Sequence, residues 1–171
     1  MINDYLLNLF NTYKKGDARE ETYYEHLADF LRSYSQTKRN KKIDITILPK
    51  KTEAGNPDFR IWDGRQKIIG YIEAKDLGVD LDKIEHSEQL LRYLSTFPNV
   101  ILTNFTEFRL YRNGEQIDKT SIARPFIIKQ LSAVPPIENE DNLFELLERF
   151  LDFSLPRAYN ARTLATELAK R

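Results

Sequence analysis

The stretch that decides the fold is residues 55–75, which read GNPDFRIWDGRQKIIGYIEAK. It predicts a β-hairpin, because β-branched and aromatic residues are frequent on both sides of the turn residues Asp63-Gly64. The second predicted strand, residues 67–75, ends on Glu73 and Lys75 with one residue between them. Side chains alternate across a strand, so both charged groups project from the same face. Opposite charges at the end of an apolar strand indicate a site rather than packing.

The register of this hairpin decides whether Asp58 lies near Glu73. A two-residue type I′ turn would place Asp58 opposite Ile69, about 13 Å from Glu73 at roughly 3.3 Å per residue. A looser loop centred on residues 64–66 would place Asp58 opposite Tyr71 or Glu73. It would also keep Asp58 on the same face, because an even shift of register preserves side-chain parity. We expect the looser loop.

Pro57-Asp58 followed by Glu73-Ala74-Lys75 resembles the signature of the PD-(D/E)XK nucleases. The resemblance implies that Asp58, Glu73 and the backbone carbonyl of Ala74 bind a divalent metal, and that Lys75 assists the attacking water. Mg²⁺ is the expected ion, with Mn²⁺ as a substitute, because hard cations prefer oxygen ligands. The implied fold class is α/β, a restriction-endonuclease-like mixed sheet flanked by helices, here with a helical C-terminal extension.

Glu20 has two interpretations. With Asp17 it forms a capping-box pattern that would open a helix over residues 17–34. The chain also resembles the N-terminal nuclease domain of type ISP restriction-modification enzymes, which carry an acidic residue just before a Thr/Ser-Tyr pair, here Thr22-Tyr23. This resemblance implies that Glu20 belongs to the metal site and takes part in catalysis, with Glu21 as the alternative.

Gln89 and Tyr93 are expected on one face of a helix that Asp80 or Asp82 caps and that continues to Phe97. Their spacing resembles a Gln-x-x-x-Tyr motif of one branch of the same nuclease superfamily. The resemblance implies that Gln89 acts at the metal site or the DNA backbone, and that Tyr93 contacts DNA.

Three further residues are candidate DNA contacts. Lys41 and Lys42 belong to a basic run, residues 38–42, that precedes a predicted strand and is expected to flank the site. Such runs usually form solvated loops, although lysines there can neutralise phosphates. Asn104 follows the apolar run 100–102, which predicts a central strand. The next predicted strand is residues 107–111, with Asn113-Gly114 marking its end.

The composition excludes several classes of protein. The chain has 171 residues, no cysteine, two histidines and a formal net charge of zero. A disulfide framework and the usual zinc cages are therefore excluded. Neither a membrane-spanning run nor a signal-peptide pattern is present in the sequence, so we expect a cytoplasmic protein without a membrane partner. With zero net charge, contacts to nucleic acid must come from local patches or other domains.

Two domains are expected from the chain in order. Residues 1–131 would form the nuclease domain, with a core of about 17–111, and residues 132–171 a helical extension leading to a domain outside this chain. A short helix is expected over residues 1–15, an apolar segment over 126–131, and a helix over 142–153 that is apolar on more than one face. A last helix from residue 161 stops without a terminator.

The expected function is Mg-dependent hydrolysis of phosphodiester bonds in double-stranded DNA, by the nuclease module of a larger ATP-dependent restriction-modification enzyme. The resemblance implies a helicase-like motor, a methyltransferase and a target-recognition domain in the same polypeptide. No Gly-x-x-x-x-Gly-Lys phosphate loop occurs in this chain. Two alternatives stay open. One is a stand-alone nuclease of the junction-resolvase or repair type, and the other is a non-catalytic binding domain in which Glu73 and Lys75 form a surface ion pair.

Overall fold

A computed structural model describes residues 1–124 and 133–154. The helices are α1 (Ile2–Lys14), α2 (Tyr24–Lys38), α3 (Glu88–Thr96) and α4 (Glu140–Leu151), and 3₁₀ turns span Glu20–Tyr23 and Leu81–Lys83. The strands are β1 (Asp44–Ile47), β2 (Phe59–Trp62), β3 (Ile68–Ala74), β4 (Asn99–Thr103), β5 (Glu107–Arg112) and β6 (Glu115–Ser121). The predicted class is confirmed, because these elements form an α/β, restriction-endonuclease-like mixed sheet flanked by helices.

The six strands lie in the sheet in chain order, from β1 to β6. All neighbours are antiparallel except β3 and β4, which run parallel. A parallel pair needs a crossover connection, and the segment that contains α3 provides it. The carboxyl ends of β3 and β4 therefore lie at the same edge of the sheet, and β3 brings Glu73 there.

Two hydrophobic cores lie on opposite faces of the sheet. Helices α1, α2 and α4 cover one face and pack on residues such as Phe59, Ile72 and Ile101. Helix α3 covers part of the other face through Leu90, Tyr93 and Phe97. All five residues of β4 are buried, which confirms the prediction that its apolar run forms a central strand covered on both faces.

The register of the β2–β3 hairpin confirms the predicted looser loop. Phe59 pairs with Ile72 and Arg60 with Tyr71, and a bulge shifts the register beyond Ile61. Asp63 closes the loop: its backbone N–H donates to the Lys67 carbonyl, and its side chain accepts from two backbone N–H groups of residues 65 and 67. Continued by one residue, this register places Asp58 opposite Glu73.

Helix α4 packs against the sheet rather than projecting from it. Leu143, Leu147 and Phe150 are buried in the same core as the sheet residues. At its end, Asn99 on β4 donates from its side-chain amide to the carbonyls of Phe150 and Ile69. A buried amide that joins a helix to two strands fixes the position of α4, because each lost hydrogen bond would leave a buried polar group unsatisfied.

Two predicted helix starts are wrong. Asp17 does not cap: the helical segment begins at Glu20, and the first-turn hydrogen bond runs from the Arg19 N–H to the Thr22 hydroxyl. The helix predicted from Asp80 to Phe97 is interrupted, since Asp80 caps only the 3₁₀ turn and Ser87 caps α3.

Strand β6 is absent from the sequence-based prediction. As predicted, the strand before Asn113 and Gly114 ends there; both residues adopt positive φ values, +51° and +84°, and join β5 to β6 in a tight hairpin. Strand β6 is mostly polar and exposed, so its sequence lacks the hydrophobic alternation that predicts a strand.

Two predicted segments lie outside the described residues, namely the apolar segment 126–131 and the last helix from residue 161. The domain boundary at residue 131 stays a prediction. Among residues 1–124 and 133–154, no helix combines the length and the apolar character needed to cross a bilayer.

Candidate functional site

Asp58 lies at the edge of the sheet and points at β3. Its carbonyl accepts from the Leu48 N–H at 2.7 Å, which extends the pairing between β1 and β2 by one step. Its carboxylate Oδ2 accepts from the backbone N–H of Ala74 at 2.7 Å. Asp58 is 9% exposed. The side chain is therefore held across the hairpin, next to the residues on either side of Ala74.

Glu73 and Lys75 project from the same face of β3, as the alternation of strand side chains predicted. The Lys75 ammonium donates to Glu73 Oε1 at 2.6 Å, and the Lys75 backbone N–H donates to the Thr103 carbonyl on β4. Glu73 is only 2% exposed, and its other oxygen, Oε2, is buried without a hydrogen-bond partner. An ionised oxygen in that position is costly unless a cation or donor reaches it.

Glu20 joins this cluster through Tyr24. The Tyr24 hydroxyl contacts Asp58 Oδ1 at 2.7 Å and Glu20 Oε1 at 2.9 Å. A phenol carries one proton and can donate to only one carboxylate at a time. The carboxylate that does not receive this proton faces the phenol oxygen lone pair to lone pair, unless that carboxyl group is itself protonated. Glu21, the alternative acid, is exposed, so the structure brings Glu20 and not Glu21 to the cluster.

Burial raises the pKa of each acid in the cluster. Burial raises the pKa of Glu73 to about 8, and the charge of Asp58 adds to the increase. Burial also raises the pKa of Asp58 and of Glu20. Burial alone would lower the pKa of Lys75, but the charge and hydrogen bond of Glu73 raise it overall. Three acids share one ammonium group, so further positive charge would be stabilised here.

The donor set fits a hard divalent cation. The charge of Asp58 raises the pKa of Glu73, so the two carboxylates lie close together, and Glu73 Oε2 has an unused lone pair. Within the described part of the chain, no three acidic or histidine side chains are already arranged as a metal cage. Glu73 could bind a cation through Oε2 while Oε1 keeps its hydrogen bond from Lys75. The roles of Asp58, Glu73, Ala74 and Glu20 as ligands stay predictions.

Gln89 and Tyr93 lie together on α3, as their spacing predicted. The Gln89 side-chain amide donates to the Tyr93 hydroxyl at 3.1 Å. Burial raises the pKa of Tyr93; the charges of Glu73 and Asp58 add to the increase, and the Gln89 hydrogen bond and the charge of Lys75 oppose it, so the hydroxyl lies near the cluster. Tyr93 is only 1% exposed, however. The expected contact of Tyr93 with DNA is therefore wrong, because the side chain forms part of the core.

The other predicted DNA contacts, Asn104, Lys41 and Lys42, lie away from the cluster or inside the core. Asn104 is 0% exposed, and its amide group holds the turn after β4: it donates to the Val79 carbonyl and accepts from the backbone N–H groups of Thr106 and Glu107. It has no surface to offer DNA. Lys41 and Lys42 precede β1 and lie beside the hairpin loop, at the opposite end of β1 from Asp58. They do not flank the site, because Asp58 lies beyond the other end of β1. Their contact with DNA stays a prediction.

Sequence reasoning missed two residues around the cluster. Tyr24 was counted only as an apolar position of its helix, and nothing in the spacing distinguishes it from the core residue Tyr23. Arg60 was counted only as part of a strand. The available signal was an arginine between two apolar residues of a predicted strand, Phe59 and Ile61, on the same face as Asp58.

Comparisons with known proteins support the architecture. No protein-family model matches the chain, and no curated protein does. Among solved structures, the chain is similar to part of an electron cryomicroscopy structure of a DrdV–DNA complex, with 19% sequence identity and a TM-score of 0.65. The match covers 99% of this chain and 15% of that chain. At this level of identity the likeness concerns the fold.

Proposed function

We propose that this chain is a Mg-dependent endonuclease domain that hydrolyses phosphodiester bonds of double-stranded DNA. One observation carries the proposal: Asp58, Glu73 and Lys75 meet at one edge of the sheet, with a buried Glu73 oxygen that has no partner. The resemblance to the PD-(D/E)XK signature and the fold shared with a structure that contains DNA support it.

Asp58 and Glu73 would hold Mg²⁺, or Mn²⁺ in its place, with the Ala74 carbonyl and Glu20 as further ligands. When bound, the ion supplies an activated water and positive charge at the phosphate. Asp58 is already oriented by the Ala74 N–H and the Tyr24 hydroxyl. Lys75 would orient the attacking water and stabilise negative charge that develops on the phosphate. Gln89 would support this arrangement from α3.

We also infer a larger enzyme around this domain. The chain corresponds to 15% of the length of the DrdV chain to which it is similar. The resemblance to type ISP enzymes adds a helicase-like motor, a methyltransferase and a target-recognition domain, which would select the DNA sequence. Such an ATP-dependent restriction-modification enzyme acts on DNA in the cytoplasm.

The non-catalytic alternative is less compatible with the cluster. It treats Glu73 and Lys75 as a surface ion pair, yet Glu73 is almost fully buried beside a second carboxylate. Buried acids that repel each other reduce stability, and a domain that only binds has no use for them. A stand-alone nuclease of the resolvase or repair type would use the same cluster and differ in its partners.

Plasmid nicking in Mg²⁺ or Mn²⁺ tests the proposal. We expect Asp58→Asn, Glu73→Gln and Lys75→Met each to reduce the nicking rate by about 100-fold or more. Glu20→Gln should reduce it as well, and Glu21→Gln, the adjacent exposed acid, should not. Lys83→Met on an exposed turn is the control for Lys75→Met.

Calorimetric titration with Mn²⁺ provides a second readout that does not depend on cleavage. Binding should be lost in Asp58→Asn and retained in Glu21→Gln. Nicking and Mn²⁺ binding that survive all three substitutions of Asp58, Glu73 and Lys75 would show that the site is assigned wrongly.

A further inference from the structure

Arg60 lies on the open face of the sheet, beside the carboxylate cluster. It alternates along β2 with the buried residues Phe59 and Ile61, so its side chain leaves the core that α1, α2 and α4 cover. The guanidinium carbon lies 5.7 Å from the ring centroid of Trp62 and 5.6 Å from that of Tyr71. The two aromatic rings therefore hold the planar group in place.

This guanidinium has no acidic partner. In the described part of the chain, no carboxylate lies within 4.0 Å of Arg60, and its Nε is buried without a hydrogen-bond partner. Arg109 shows the contrast, since it pairs with Asp82, Glu85 and Glu107. An unpaired, half-buried guanidinium has a desolvation cost that a bound anion would offset.

The position of Arg60 suits an extended polyanion that crosses the cluster. Arg60 is two residues from Asp58 on β2 and pairs across the sheet with Tyr71, which is two residues from Glu73. Two strand residues span roughly 6.6 Å. Phosphates of one DNA strand recur about every 3.4 Å along the helix axis, so a strand with one phosphate at the cluster has another near Arg60.

The two aromatic rings beside Arg60 are already held in place by other contacts before any ligand binds. The Trp62 indole N–H donates to the Thr46 hydroxyl on β1 at 3.0 Å. Tyr71 stacks on Phe97 with ring centroids 3.9 Å apart. Because both rings are held, the guanidinium loses little further conformational freedom when it binds a ligand.

We propose that Arg60, held between Trp62 and Tyr71, binds a backbone phosphate of the DNA strand that enters the carboxylate cluster. The guanidinium fork matches two phosphate oxygens. The contact positions the strand without reading its sequence. This proposal rests on the proposed nuclease function, because the cluster defines where the strand must pass.

Trp62 is the only tryptophan in the chain, so its emission reports on this position. The experiment titrates the protein with a blunt DNA duplex, with Ca²⁺ in place of Mg²⁺ as an oxygen-preferring ion of looser geometry. We expect DNA to change the Trp62 emission. Arg60→Gln should weaken binding about tenfold and reduce the slope of log K against log salt by about 0.9, the value for one phosphate contact.

Two further variants make the test specific. Arg65→Gln removes an exposed arginine from the hairpin loop and should bind DNA as the wild type does. Arg60→Lys keeps the charge but loses the planar fork, so it should give intermediate affinity and the wild-type salt slope. If Arg60→Gln does not fold, Arg60→Lys still tests the contact.

Two results would overturn the inference: a Trp62 emission that DNA does not change, or Arg60 variants that bind with wild-type affinity and salt slope. The nicking assay separates this failure from failure of the proposed function. Loss of nicking in Asp58→Asn combined with unchanged DNA binding in Arg60→Gln would leave the nuclease and reject the Arg60 contact. The reverse combination would leave the contact and reject Asp58 as part of the nuclease site.

Discussion

Tyr24 is the residue that connects the helical layer to the acidic cluster. Its ring packs in the core against Phe59, with centroids 4.9 Å apart, while its hydroxyl reaches Asp58 and Glu20. Burial, together with the hydrogen bond to Asp58, raises its pKa far above the ordinary value, so the phenol keeps its proton as a donor. The Tyr24 hydroxyl thus helps to orient the Asp58 carboxylate, together with the Ala74 N–H, and brings it close to Glu20.

Tyr24→Phe should impair the site without removing a charge. The Asp58 carboxylate loses a donor and becomes less well oriented, so we expect about 10- to 100-fold slower nicking, as for the loss of other groups that orient metal ligands. The Mg²⁺ concentration for half-maximal nicking should rise as well. A purely structural effect would lower stability and leave that concentration unchanged.

Tyr23→Phe is the matched control for this prediction. Tyr23 is buried against Phe105 and precedes Tyr24 in the chain. Its variant should show wild-type Mg²⁺ dependence. If Tyr24→Phe and Tyr23→Phe behave alike, Tyr24 has no role in positioning Asp58.

At the scale of elements, a buried arginine helps to hold the connection between β3 and β4 to the sheet. Arg109 on β5 is 2% exposed, and its guanidinium donates to Asp82, Glu85 and Glu107. Asp82 and Glu85 belong to the 3₁₀ turn and the segment that follows it, which lead into α3. Because α3 carries Gln89, this ion-pair network contributes indirectly to the geometry around the site.

Arg109→Met should destabilise the protein by about 3 kcal/mol, the lower end of the range for breaking a buried ion pair. The lower end applies because Asp82 and Glu85 already reach solvent, with side chains 72% and 33% exposed, so water can solvate them once Arg109 is removed. Urea unfolding measures the free energy of unfolding. Relative to the wild type, amide hydrogen exchange should accelerate more in residues 81–87 than in β1.

Arg124→Met is the control, since the Arg124–Glu138 pair is exposed and should contribute less than about 1 kcal/mol. Equal losses in the two variants would contradict the prediction that burial gives Arg109 its larger effect.

At the scale of the whole molecule, the acidic cluster reduces stability at neutral pH. Burial raises the folded-state pKa of Glu73 to about 8, against an ordinary value of 4.5. Between these values the folded protein binds more protons than the unfolded chain. The contribution of Glu73 to stability is therefore fully present below the lower value and is lost as the pH rises through the higher one.

In EDTA, the free energy of unfolding should fall between about pH 5 and pH 9, and it should fall less steeply in Glu73→Gln, which cannot ionise. Urea unfolding at several pH values measures this difference. Glu21→Gln, at an exposed position, should follow the wild type. Mg²⁺ should restore stability to the wild type at the higher pH if it binds the folded state. Parallel pH profiles for wild type and Glu73→Gln would mean that Glu73 titrates normally.

Local patterns determined much of the architecture in advance. The apolar run of β4 predicted a central strand, and the alternation in residues 55–75 predicted a hairpin with Glu73 and Lys75 on one face. Both follow from short-range geometry, because the direction of a side chain in a strand depends on its position alone. The weakest pattern was missed: β6 is polar and exposed, so hydrophobic periodicity does not mark it.

Only the tertiary structure decided which groups meet. The sequence by itself offered Asp58, Glu73, Lys75 and a choice between Glu20 and Glu21, and it proposed Asn104 and Tyr93 as surface contacts. Folding buried those two and brought Tyr24 and Arg60 to the cluster. The physical reason is that burial and contact depend on the packing of elements far apart in the chain, here α2 against the β2–β3 hairpin, and no local periodicity records that packing.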